Sequence, residues 1–262
     1  GIYYYEGQEI LGDSELFEMD TLQQWSVKNK YLYDETISLE ESRNELVEKG
    51  NLPLKNIGRN AINNISDDIS ILKARFVTGK EGKKENPIQI YLSIGDKTLV
   101  GKLANVYENQ FVFPCVSKKN TNFKYIVEYQ IKKIVLAAAG YNFNGVFMSI
   151  DGDNDDMVNN NALSKKQAQQ KLNKLYDYYL QGQIQMLPFI TEYDKAFYPI
   201  VFNHPIEEVE RALSKKVTTV FSNFTSEYLR KEFGKGFFSE NKLNELKKNT
   251  SEILVNILEI NF

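Results

Sequence analysis

Apolar residues at Ile57, Ala61, Ile65, Ile69, Leu72 and Phe76 recur three or four positions apart, and beyond a charged stretch at 80–87 the residues Ile88, Ile90, Leu92 and Ile94 recur every second position. The first spacing lines one face of an α-helix, with Gly79 placed to end it, and the second is that of a half-buried strand. A chain that switches period in this way must pack helices against a sheet, which excludes an all-helical bundle and an all-β sandwich. The fold class expected is α+β.

The remaining patterning fills in an order. Asp20 with Gln23 opens a helix carrying Leu22, Trp25 and Leu32, and Ser38 with Glu41 forms a capping box for a second, closed by Gly50 ahead of Pro53. After the first strand, Gly95-Asp96 gives a hairpin turn. Thr98 to Tyr107 and Gln110 to Val116 then read as two more strands separated by Glu108-Asn109, giving an antiparallel meander of three. Pro114 cannot donate to a ladder, so the third strand sits at an edge there or its pairing ends before it. A helix over Phe123 to Ala139 stops at Gly140, and Phe143 to Ile150 suits a fourth strand. Three helices follow. The first is capped by Ser164 and Gln167 and bears Ala168, Leu172, Leu175, Tyr176 and Tyr179. The second starts at Pro205 with Ile206, Val209, Leu213, Val220 and Phe224 inward, and the third spans Leu243 to Ile260. Helices, three strands, helix, strand and helices is the ordering of a restriction-endonuclease-like core, which other α+β families share. The organisation expected is an N-terminal helical segment, 1–79, packing on an α+β core, 80–262, within one structural domain.

Composition narrows the chemistry. The 262 residues include one His (His204) and one Cys (Cys115), too few for a zinc site or an intramolecular disulfide, and a nucleophilic triad could draw its His from one position only. Any metal chemistry must rest on carboxylates. With 32 Lys and Arg against 35 Asp and Glu, the net charge of −3 argues against gripping nucleic acid by bulk charge and leaves room for a local basic patch. No apolar run approaches the length of a membrane span, and no basic region with an apolar run and cleavage site opens the chain, which therefore reads as cytoplasmic. A start at Gly1-Ile2-Tyr3 without Met reads as a piece of a longer chain.

Candidate sites are few. Asp151, Asp153 and Asp155 alternate as in the start of a calcium loop, but Asp156 stands where the loop needs Gly and Ala162 where it needs Glu, so a solvated acidic loop continuing into Asn159-Asn160-Asn161 is the reading. His204 before Pro205 reads as a helix-start residue, and Cys115 as a small buried hydrophobe. Trp25 fits an apolar stripe; Tyr3-Tyr4-Tyr5 suits a packing strand as well as a base-stacking platform. Gly79 to Lys84 lacks the spacing of a phosphate loop. Lys118, Lys119, Lys124, Lys132 and Lys133 cluster around the third strand and the following helix and are the candidates for DNA contact. Lys165-Lys166, Lys215-Lys216 and Lys247-Lys248 are further pairs, read as solvated faces.

Longer motifs point to a family. Glu6-Gly7-Gln8-Glu9, Asp13 to Trp25, Lys49-Gly50-Asn51-Leu52-Pro53 and Gly58 together resemble the C-terminal domain of RecC, the gamma subunit of exodeoxyribonuclease V, the RecBCD helicase-nuclease. Weaker similarity continues through Ala138-Ala139-Gly140, Gly182 and Leu187-Pro188. The resemblance implies the fold of the RecB nuclease domain, a PD-(D/E)XK fold, without its active site. An active member holds Mg²⁺ with an Asp ending a Gly-x-x-Asp stretch in the second strand and an acid two residues before a Lys in the third. The paired carboxylates bind the metal that polarises the phosphate, and the Lys orients the attacking water. Matched to that pattern, Gly101 to Ala104 places Ala104 at the Asp, and Pro114 to Ser117 places Cys115 at the acid and Ser117 at the Lys. Tyr125 to Gln130 resembles the Gln/Tyr helix of the RecB type, with Tyr125 and Gln130 retained.

The leading expectation is therefore a non-catalytic scaffold domain of a RecC-type subunit, with no cofactor or metal of its own. Its partners would be a RecB-type helicase-nuclease subunit, a RecD-type helicase subunit, duplex DNA ends and single-stranded DNA. One alternative is an active Mg²⁺-dependent deoxyribonuclease using acids of the Asp151–Asp156 loop, and another is an autonomous DNA-binding module.

Overall fold

The computed structural model describes residues 21–33, 39–50, 52, 55–79, 85–108, 110–118, 123–153, 156–185, 187–189, 197–220 and 239–262. The tyrosine cluster, the Glu6–Asp20 motif, the caps at Asp20 and Ser38, Pro53, Lys119, Asp155 and Phe224 lie outside the described residues. The chain divides into two compact units, Gly1–Thr78 and Gly79–Phe262.

In the first unit, α1 (Thr21–Tyr33), α2 (Leu39–Glu48) and α3 (Lys55–Gly79) follow the helical period. Gly50 ends the second helical segment with φ +67°, its N–H donating to the Val47 carbonyl at 3.0 Å. The expected seam of α3 holds at Ile65, Ile69 and Leu72, which are buried, and Ala61 packs against the core; Ile62 joins it, while Ile57 near the helix start is half exposed. Val27 and Leu52 join Ile62, Ile65 and Ile69 in a small core, and Trp25 stays partly exposed rather than entering it. Lys28 on α1 pairs with Asp68 on α3 at 2.5 Å.

The second unit holds two sheets. Strands β1 (Ile88–Ile94) and β2 (Lys97–Leu103) form an antiparallel hairpin with Ile94 opposite Lys97. Gly95 at the turn has φ +56°, and a Cβ there would come within 3.2 Å of the Tyr176 ring. The expected three-strand meander does not form. The second run breaks at Ala104-Asn105, where Asn105 takes φ +59°, a conformation Asn tolerates, and the chain resumes as a separate short strand. The other sheet has the order β3 (Val106–Tyr107), β4 (Gln110–Cys115), β5 (Asn144–Ser149), β6 (Gly152–Asp153). β4 is antiparallel to β3 and parallel to β5, with α4 (Phe123–Ala138) as the crossover between the two.

Pro114 is tolerated in β4 for a register reason. The Val112 N–H donates to the Asn105 carbonyl on the β3 side at 3.0 Å, so two residues on the Pro114 nitrogen turns to the same side, past the end of β3's pairing at Val106.

The main core lies between this sheet, α4 and the later helices. Phe111, Phe113 and Cys115 on β4 and Phe147 on β5 share the face toward α4, where Tyr129 stacks on Phe111 at 5.9 Å and Phe113 on Phe147 at 5.7 Å. The chain continues as α5 (Lys165–Ile184), α6 (Phe197–Asn203), α7 (Ile206–Val220) and α8 (Glu240–Thr250), the last running on as a π-helical segment, Ser251–Ile257. Ser164 caps α5 with the capping box the sequence predicts. Helix α6 has no counterpart in the sequence reading. Among the described residues, no helix is long and apolar enough to cross a membrane.

Candidate functional site

The carboxyl ends of a parallel strand pair are where α/β sheets commonly place ligands, since the crossover leaves a crevice there. In this chain those ends are Cys115 on β4 and Ser149 on β5, paired in register and both buried against α4. Cys115 is 2% exposed, and burial pushes its thiol up to about 12, with the charges of Glu128 and Lys124 on α4 contributing in opposite directions. A thiol that stays protonated is a poor metal ligand, because the thiolate is the binding form. Ser149 Oγ lies 3.1 Å from both the Asp151 Oδ1 and the Gly152 carbonyl, which ties the hydroxyl to the following turn.

The three positions matched to a nuclease site are not brought together on one sheet. Ala104 is exposed in the link after β2, outside the four-stranded sheet, while Cys115 ends β4 and Ser117 is half-buried just beyond it. The described start of the acidic run lies in a tight hairpin: Ser149 pairs with Gly152 and Met148 with Asp153, leaving Ile150 and Asp151 as the turn. Asp151 is exposed on that turn. Among the described residues, no group of three or more His, Cys, Asp or Glu is placed to hold a metal ion.

Helix α4 carries the sharper polar arrangement. Tyr129, Gln130 and Lys133 are all buried, and all three reach the loop between β6 and α5. The Tyr129 hydroxyl donates to Asn160 Oδ1 at 2.9 Å, Gln130 Nε2 donates to the Asn159 carbonyl at 3.2 Å, and Lys133 Nζ donates to the same carbonyl. Asn159 Nδ2 in turn donates to Glu259 at 3.4 Å, and Glu259 pairs with Lys171 of α5 at 3.0 Å. Burial holds the Lys133 ammonium down to about 8, against the raising pull of Glu259. Gln130, matched to a nuclease helix motif, is thus engaged in holding a loop, and Tyr125 is half-buried on another face of the same helix.

This placement corrects one candidate. Lys133, read beside Lys132 as a DNA contact, is 8% exposed and turned inward, its Nζ held by the Asn159 carbonyl. Of the others, Lys118 is exposed, Lys124 is exposed with its Nζ 5.0 Å from the Tyr125 ring centroid, and Lys132 bridges to Glu128 at 2.6 Å with its Nζ 4.9 Å from the Phe113 ring centroid. Lys118 and Lys124 therefore flank the start of α4, close to Cys115. His204 is exposed, with Nδ1 2.6 Å from Glu208, as befits a helix-start residue. The loop residues Asn159 and Asn160 and the distant Glu259 were not singled out in the sequence as partners of α4; the run of three Asn was the one local sign, since Asn supplies both donors and acceptors for closing a loop.

A mixed α+β unit with a parallel strand pair and a helical crossover is the class of architecture these elements define. The model of the RecC C-terminal domain family matches residues 1–198, and the chain belongs to that family. Membership carries a RecC-type subunit role in the RecBCD complex, exodeoxyribonuclease V, and with it DNA repair and recombination. No individual curated protein matches the chain.

Proposed function

We propose that this chain is a non-catalytic scaffold domain of a RecC-type subunit, built on a nuclease-like core whose metal site is lost. It acts in double-strand break repair by binding a RecB-type helicase-nuclease, a RecD-type helicase and DNA, and contributes to the RecD-facing surface and the wall of the DNA path. In this reading 1–79 and 80–262 work as one cytoplasmic structural domain. The observation that carries it is the burial of Cys115 at the carboxyl end of β4, where the matched pattern calls for a metal-binding acid. Two further features support it: the helix-linked parallel pair β4–α4–β5, and the engagement of Gln130 in a loop clamp instead of toward the strand ends.

Lys118 and Lys124 are the proposed phosphate contacts, since both are exposed beside the strand ends. Incubation of the chain with linear duplex and single-stranded DNA in Mg²⁺ or Mn²⁺ tests the proposal. The DNA is expected to remain intact; robust cleavage that Asp153→Ala abolishes would replace the scaffold reading with an active nuclease.

A further inference from the structure

We draw no further inference here: the strongest candidate, the solvent-facing β1–β2 hairpin with Tyr91 70% and Val100 60% exposed and Leu99 also at the surface, carries nothing because nothing in the structure shows what covers it.

Discussion

Lys133 and Gly145 show how closely α4 is fitted to the sheet. A Cβ on Gly145 would collide with the Tyr129 hydroxyl, so Gly145→Ala must displace either β5 or the Tyr129–Asn160 bond. It is expected to destabilise the fold by about 1–3 kcal/mol, read from the urea midpoint, as overpacked sites do. Lys133 makes stability depend on pH. Its ammonium is disfavoured in the folded state, where it titrates at about 8, and not in the unfolded chain, where it titrates near 10.5. The unfolded state therefore binds more protons between those values, and stability rises with pH across that window. Cys115 acts oppositely: its thiol loses its proton near 9 in the unfolded chain and at about 12 in the folded one, so stability falls as pH climbs above 9. Of these two groups only Lys133 is crossing its window between pH 8 and 9. Urea midpoints are expected to rise there, and Lys133→Met to flatten that rise; an unchanged slope in the variant would remove Lys133 as its source.

At the level of elements, what could be read from sequence was local. The capping box of Ser164 and Gln167 was legible because both halves of the motif lie within four residues, and the structure contains both bonds. Ser164→Ala is expected to cost about 1 kcal/mol and to fray the first turn of α5, measured by urea unfolding and by hydrogen exchange of the Gln167 and Ala168 amides. The strand pairing was not legible. Alternating apolar residues mark a strand but say nothing of its partner, and the break at Asn105 depends on one backbone angle that neighbouring residues do not dictate. The parallel neighbour of β4 lies beyond α4, out of reach of any short-range pattern. In the candidate site, Cys115 was legible as buried because it sits in an apolar run. Lys133 was not, since a lysine doublet reads the same whether one or both members face solvent.

For the molecule as a whole, each unit has a buried cluster among its described residues: Val27, Leu52, Ile62, Ile65 and Ile69 in the first, and residues between Ile90 and Ile260 in the second. If 1–79 and 80–262 work as one structural domain, residues 79–262 alone are expected to unfold at a lower urea midpoint than the full chain; an unchanged midpoint would show that the second unit is a domain by itself. DNA binding belongs to this scale too. With a net charge of −3, any affinity must come from a local patch. If Lys118 and Lys124 each neutralise a phosphate, replacing both with Ala in the full chain is expected to lower the slope of log affinity against log salt by about 2, while Lys133→Ala leaves that slope unchanged. Forked DNA titrated at several salt concentrations provides the readout.

The separation of the two sheets also sets an order of events in folding. The β1–β2 hairpin closes through a two-residue turn, so its pairing requires almost no loop closure and can form within microseconds. The β4–β5 pair is held apart by a whole helix and can form only after α4 has organised and folded back. During synthesis the hairpin therefore emerges and pairs first, while β4, rich in Phe and lacking its parallel neighbour, waits for α4 and β5 to follow. An unpaired β4 with Phe111 and Phe113 uncovered is expected to favour aggregation during that interval.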